Sequence, residues 1–191
     1  YLSRSDVLEK INRHKNELKI LYVGRPHKRK GIYDLIDAVS RTDILEKRIL
    51  IEIVGFESNE LDIQEEKLPP NVKFHGFQTD VGTFYHKCDI VILPSWHEGF
   101  GYVLLEGAAY GCAMVASNIP GPDAIVVNNV NGRLIAPRCP ADIERCILDY
   151  YHNRGILNEH MNNAYKRSLD FSDSVILQQV TGFLVNSIYR K

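Results

Sequence analysis

The chain has 191 residues, 45% of them hydrophobic and 25% charged, with 23 basic against 24 acidic side chains and a formal net charge of -1. That profile fits one soluble globular domain with a sizeable core, and the charge balance argues against nucleic acid as the main partner, which leaves a basic footprint on its binders. The four cysteines lack CxxC spacing and the seven histidines form no HExxH, so neither a disulfide framework nor a protein-bound zinc is expected.

In chain order, Ser3 and Ser5 are candidate N-caps for a helix through about Lys15. LKILYV (18–23) is a buried strand, and GRPHKRKG (24–31) is a polar loop punctuated by Gly and Pro. Ile32, Leu35, Ile36 and Val39 follow at helical spacing. ILIEIV (49–54) is a second strand, ended by Gly55, and a polar connection runs to VKFHGF (72–77), a third strand and turn. A short helix near 79–87 precedes DIVILP (89–94), a fourth strand; a helix covers about Phe100 to Tyr110; AMVAS (113–117) is a fifth strand. PGPDAIV opens a helical turn, RLIAP (133–137) is a sixth strand, and helices fill 140–153, 156–168 and 173–189. Ile176, Val180, Phe183, Leu184 and Ile188 form a stripe on the last helix, read as packing on its own domain.

Continuous apolar strands alternating with helices predict an α/β domain with a doubly wound, Rossmann-like parallel sheet covered on both faces. One domain over 1–191 is expected. No apolar run reaches the ~20 residues needed to cross a bilayer, no signal peptide is expected, and cysteines expected to be reduced point to the cytoplasm. The start at YLSRSDVLEK, without Met, reads as a chain cut from something longer.

In such sheets ligands bind beyond the carboxyl ends of the strands. Three loops there are polar or glycine-rich: GRPHKRKG, GFES and SWHEGFG. Gly99 and Gly101 allow close backbone approach, and the helix after them offers free amides and a partial positive charge to an anion. The run is not a dinucleotide fingerprint, because Leu104 stands where a third glycine would be. Arg25, Lys28, Arg29 and Lys30 crowd the first loop, so the two loops together suit a diphosphate. Read alone, the basic loop is more simply a solvated one. Glu98 precedes the helix and Glu106 lies on its second turn. Glu106 could accept from ribose hydroxyls, and Glu98 from sugar hydroxyls or stabilise positive charge on a sugar carbon. The plain alternatives are a helix N-terminal carboxylate and a surface position.

PSWHEGFGYVLLEGAAYGCAMVAS, with seven residues between Glu98 and Glu106, resembles the E-x7-E signature of retaining glycosyltransferases of GT-B fold, family four. VGRPHKRKGIYDLIDA is similar to that family's V-G-R…K-G element, and VKFHGF, DIVILPS and NGRLIAP follow in the family's order, so the likeness covers about 18–150. The resemblance implies the C-terminal, donor-binding half of a GT-B enzyme of hexosyltransferase type, making polysaccharide or surface glycan. It implies that Arg25 and Lys30 neutralise the donor diphosphate, and that Glu98, with the Gly99, Phe100 and Gly101 loop, contacts sugar and phosphate. It further implies that Glu106 holds the ribose, and that Gly24, Gly55 and the turn at Phe77 surround the nucleotide and its base. The resemblance also implies a nucleotide diphosphate sugar as donor substrate, with no metal and no separate cofactor expected. The acceptor domain and its catalytic histidine lie in a missing N-terminal domain, as would any peripheral contact with the inner face of a membrane. The isolated chain is expected to lack full activity.

Lys28 and Arg29 match no motif position and are read as solvent-exposed charge, and His97 as a loop histidine. The family's GG-x-x-E element is replaced by SNIPGPDAIV, with Pro120 at the first glycine and Asp123 either a shorter acidic replacement or a cap for the next turn. A non-catalytic nucleotide-binding module, a GT-B phosphorylase and a sugar-nucleotide epimerase remain alternatives, since fold does not fix function.

Overall fold

The computed structural model describes residues 3–12 and 17–171. The helix expected over 173–189, with its apolar stripe, lies outside them. Among the described residues six strands form one parallel sheet of order β3-β2-β1-β4-β5-β6. They are β1 (Leu18–Val23), β2 (Ile49–Val54), β3 (Val72–Phe74), β4 (Ile90–Leu93), β5 (Ala113–Ser117) and β6 (Gly132–Ile135). Seven α-helices accompany them: α1 (Arg4–Asn12), α2 (Ile32–Val39), α3 (Thr42–Leu45), α4 (Gly82–Lys87), α5 (Tyr102–Ala109), α6 (Pro140–His152) and α7 (Arg154–Leu169). The expected doubly wound α/β sheet is the observed one.

Alternation along each strand explains why its sequence is apolar throughout. Leu18, Ile20 and Tyr22 of β1, with Ile51 and Ile53 of β2 and Ile90 and Ile92 of β4, enter one core with Leu35 and Val39 of α2 and Ile143 and Ile147 of α6. Leu21, Val91, Leu93, Met114 and Ala116 point the other way, into a second core with Tyr85 of α4 and Leu104 and Ala108 of α5.

At α5 and α7 the helix starts differ from the expected ones by two residues. Ser3 exchanges hydrogen bonds with Asp6 at the start of α1, its Oγ receiving the Asp6 amide at 3.3 Å and its own amide reaching Asp6 Oδ2 at 3.1 Å; Ser5 is already inside the helix. This is a capping box with Asp in place of Glu. The helix expected from Phe100 begins at Tyr102, and the one expected from 156 begins at Arg154. The one-turn helix α3 had no sequence signal long enough to separate it from a loop. Lys28–Lys30, expected as loop, form a 3-10 turn capped by His27, whose Nδ1 accepts from the Arg29 amide at 3.1 Å.

Gly31 ends that turn and starts α2 at φ 72, where a Cβ would sit 1.9 Å from the Pro94 carbonyl oxygen. Loop and strand end are therefore in backbone contact, and glycine is required for both reasons. Gly31→Ala is expected to cost more than about 2 kcal/mol, a left-handed penalty plus a clash, read as a lower urea midpoint at unchanged slope.

The two helices that close the chain's described part are tied by a buried pair. The Tyr150 hydroxyl lies 2.7 Å from His160 Nδ1, and both side chains are buried. Burial pushes the phenol's pKa up, so it remains the donor and the ring accepts. Burial, then the Arg133 charge, lowers the His160 pKa below its ordinary 6.5. The unfolded chain thus binds the extra proton first, and this contribution is complete above pH 6.5 and lost as pH falls below it. Wild type is expected to lose stability between pH 7 and 5.5, by at most about 1.4 kcal/mol per pH unit for one proton, and His160→Gln to flatten that slope in denaturant titrations.

Candidate functional site

The strand order reverses between β1 and β4, the switch point at which sheets of this kind open a crevice at the carboxyl edge. Lys30, at the end of the first loop, reaches across it: its Nζ lies 2.8 Å from Glu98 Oε2. The Lys30 side chain is 34% exposed and Glu98 15%. Glu98 Oε1 takes the Gly99 amide at 3.1 Å, and the Ser95 hydroxyl stands 3.5 Å from Oε2. A cation from one loop and a carboxylate from the other, 68 residues apart, are thus one unit.

The backbone stitches the rim on both sides of this pair. Gly24 donates to Val54 O at 3.0 Å and Gly55 to Gly76 O at 2.8 Å, joining the loops after β1, β2 and β3. A Cβ on Gly55 would stand 2.0 Å from Gly24 O, so the approach there also demands glycine. On the other side the Gly121 Cα packs near Gly99 O, where a Cβ would come to 2.8 Å. Gly101 sits at φ 97 before α5, and no atom lies within 4 Å of the place a Gly99 side chain would occupy. The helix α5 thus begins four residues after Glu98.

Other expected site residues are spread along this edge. Arg25 is exposed, and its carbonyl accepts from the buried Tyr22 hydroxyl at 3.3 Å. Burial, then the Glu98 charge, pushes the Tyr22 pKa up and keeps it a neutral donor. Phe77 is 80% exposed at the turn after β3. Phe100 packs edge-on against Tyr102 and Phe171, with centroids 5.2 and 6.0 Å away. Glu106 does not join the Lys30 pair; its Oε2 accepts from the Tyr85 hydroxyl of α4 at 2.8 Å.

Sequence reasoning missed Trp96, the chain's single tryptophan. Its amide donates to Arg29 O at 2.8 Å and its indole N–H to Asp34 Oδ2 at 2.6 Å. Lys28 Nζ lies 5.6 Å, and the Arg138 guanidinium carbon 4.3 Å, from its ring centroid. Lys28 and Arg29 are exposed as expected, yet they also frame this indole. A lone aromatic two residues before Glu98 was the only available signal. His97 is an exposed loop residue. Asp123 lies inside the 3-10 turn Pro122–Ala124, and its Oδ1 accepts the Gly121 amide at 3.1 Å; the turn itself has no side-chain cap. A separate concavity of about 420 Å³ lies along β6 and α6, but its charges are mutually paired, Arg133 with Asp149 and Arg145 with Asp142. No group of three metal-ligating side chains occurs among the described residues.

The family described as glycosyl transferases group 1 matches residues 3–168. The chain belongs to that family. It is 33% identical over 141 residues to glycogen synthase of Mycobacterium tuberculosis, covering 69% of this chain and 34% of the relative. It is 30% identical over 174 residues to an uncharacterized glycosyltransferase of Methanocaldococcus jannaschii, covering 84% and 44%. The chain thus spans less than half the length of these relatives. Among solved structures it resembles Anabaena HepE in complex with UDP, with a TM-score of 0.78, 25% identity and coverage of 97% and 54%. It also resembles the C-terminal domain of a glycosyl transferase group 1 family protein, LpcC, from Francisella tularensis, at a TM-score of 0.68, 24% identity and coverage of 87% and 92%.

Lys30→Met is expected to leave Glu98 with the Gly99 amide and the Ser95 hydroxyl, at a cost below about 1 kcal/mol because the pair is partly solvated. A loss of several kcal/mol in urea unfolding would instead make the pair a structural anchor.

Proposed function

We propose that this chain is the donor-binding, C-terminal domain of a retaining GT-B glycosyltransferase of hexosyltransferase type. The enzyme moves a sugar from a nucleotide diphosphate sugar to a hydroxyl acceptor carried to it by an N-terminal domain. The observation that carries this reading is the Lys30–Glu98 pair at the β1/β4 switch point, four residues before the start of α5. Cations and free amides suit the two phosphates, while a carboxylate among them suits the hydroxyls of the attached sugar. The LpcC domain, matched over 92% of its length, supports the placement at the level of fold, and HepE, solved with UDP, supports a nucleotide ligand.

In this reading the bond from the sugar's anomeric carbon to the diphosphate breaks, and its electron pair goes to the leaving phosphate oxygen. The acceptor oxygen bonds to the same face of that carbon, and its proton passes to the departing phosphate. Lys30 has three N–H donors, so it can keep Glu98 and still reach a phosphate oxygen. Arg25 adds a second, fixed charge, and the α5 amides add dipoles that need no reorganisation as negative charge develops. Glu98 accepts a sugar hydroxyl and favours positive charge on the ring; Glu106 accepts from the ribose. Gly24, Gly55 and the Phe77 turn border the base. These cations do the work that a metal would otherwise do, so none is required. Relatives named glycogen synthase and a capsular polysaccharide biosynthesis glycosyltransferase of Staphylococcus aureus support a role in polysaccharide or surface-glycan synthesis. A cytoplasmic site of action suits a nucleotide-sugar donor, and no described helix is long and apolar enough to cross a membrane.

Calorimetric titration with UDP, GDP and ADP, without divalent metal, tests the reading. One nucleotide is expected to bind and to change the emission of Trp96. Arg25→Ala/Lys30→Ala is expected to weaken it by roughly tenfold or more, as loss of charged hydrogen bonds does, with the fold intact by circular dichroism. Binding that is unchanged in this double variant, or that demands added metal, would overturn the assignment.

A further inference from the structure

Glu106 is exposed on α5, yet one of its oxygens is already claimed. The donor is Tyr85, 2% exposed and itself held in place. The Tyr85 ring stacks on Tyr110, with centroids 5.7 Å apart and planes at 25°. Its carbonyl accepts from the buried Lys10 ammonium at 2.8 Å and from Cys112 Sγ at 3.2 Å. Lys10 also donates to Tyr110 O at 2.8 Å, so one cation from α1 ties together the backbone at both residues of the stack. Burial, then the Glu106 charge, pushes the Tyr85 pKa up, which leaves the phenol a donor at any working pH.

A free glutamate on a helix surface samples many rotamers and must be ordered when it binds. Here a rigid phenol fixes one carboxylate oxygen, Oε2, and so decides where the other, Oε1, faces. Resting on the reading of Glu106 as the ribose ligand, we propose that Tyr85 is a positioning residue: it aims Glu106 Oε1 at the ribose hydroxyls and so sets the enzyme's preference for ribonucleotide over deoxyribonucleotide donors. Tyr85 touches no substrate. It acts through pre-organisation, lowering the ordering cost that a ligand contact must overcome. A bond that merely fastened α4 to α5 would contribute to stability and leave ribose discrimination alone.

The test uses the full-length protein and measures the dissociation constants of UDP, 2′-deoxy-UDP and 3′-deoxy-UDP, with the guanosine set in parallel. Wild type is expected to favour the ribonucleotide by on the order of tenfold or more, the scale of a hydrogen bond to a carboxylate. Tyr85→Phe keeps the ring and its stack, and is expected to reduce that ratio by at least roughly threefold while deoxynucleotide affinity changes little. Glu106→Gln gives a second arm on an exposed side chain. With Tyr85 holding the amide oxygen, an NH2 group faces the ribose and discrimination falls; a freely turning amide would present its oxygen and keep it. Retained discrimination in either folded variant overturns the positioning role. Equal binding of ribo- and deoxynucleotides by wild type would overturn the ribose reading of Glu106 itself, and failure of UDP and GDP alike to bind would overturn the donor-site reading beneath both.

Discussion

The junction between the ends of β1 and β4 is the constraint on which the rest of the edge depends. Two chain segments that diverge from adjacent strands are brought back into contact by backbone alone, with Gly31 against the Pro94 carbonyl and the Trp96 amide on Arg29 O. Only after that contact exists can Lys30 meet Glu98. The crevice is a consequence of strand order, since helices leaving β1 and β4 go to opposite faces of the sheet. Its shape, however, is set by glycine: at Gly31 and Gly55 a single Cβ would push loops apart by more than any side chain could relax.

Charge is distributed around this junction in a way that the whole-chain value of -1 conceals. Arg25, Lys28, Arg29, Lys30 and Arg138 are gathered along one edge or stacked on its indole, while the nearby carboxylates are engaged. Asp34 is bonded to Trp96 and Glu98 to Lys30. Trp96 therefore does two jobs: its N–H neutralises a competing acid's demand for a partner, and its faces hold cations at fixed distance. Arg138 reaches it from a backbone position at φ 58, an unusual conformation for an arginine.

Beneath the edge, buried phenols serve as fixed hydrogen-bond donors. Tyr22 under the first loop and Tyr85 under α5 each sit in the apolar core with the hydroxyl turned toward a polar group at its border. Burial keeps both neutral. The two cores on either side of the sheet thus do more than stabilise the domain, because each one supplies a rigid support for one part of the candidate site.

Much of this was legible in the chain order of residues. Runs such as LKILYV and DIVILP cannot be half-exposed strands, so a sheet covered on both faces follows from hydrophobicity alone. The pattern EGFGYVLLE and the basic loop after β1 marked both halves of the crevice, because glycine, charge and helix start are local signals. Where helices begin was less legible: Ser3 was a readable cap, but the His27 cap on the Arg29 amide is decided by a side-chain hydrogen bond that periodicity does not encode. The pairings themselves were left to the tertiary structure. Lys30 with Glu98, Tyr85 with Glu106 and Arg138 with Trp96 join residues 68, 21 and 42 positions apart. Sequence determined which groups exist and on which loops they lie; only the closing of the sheet, which brings distant loops within hydrogen-bond range, decided which of them meet.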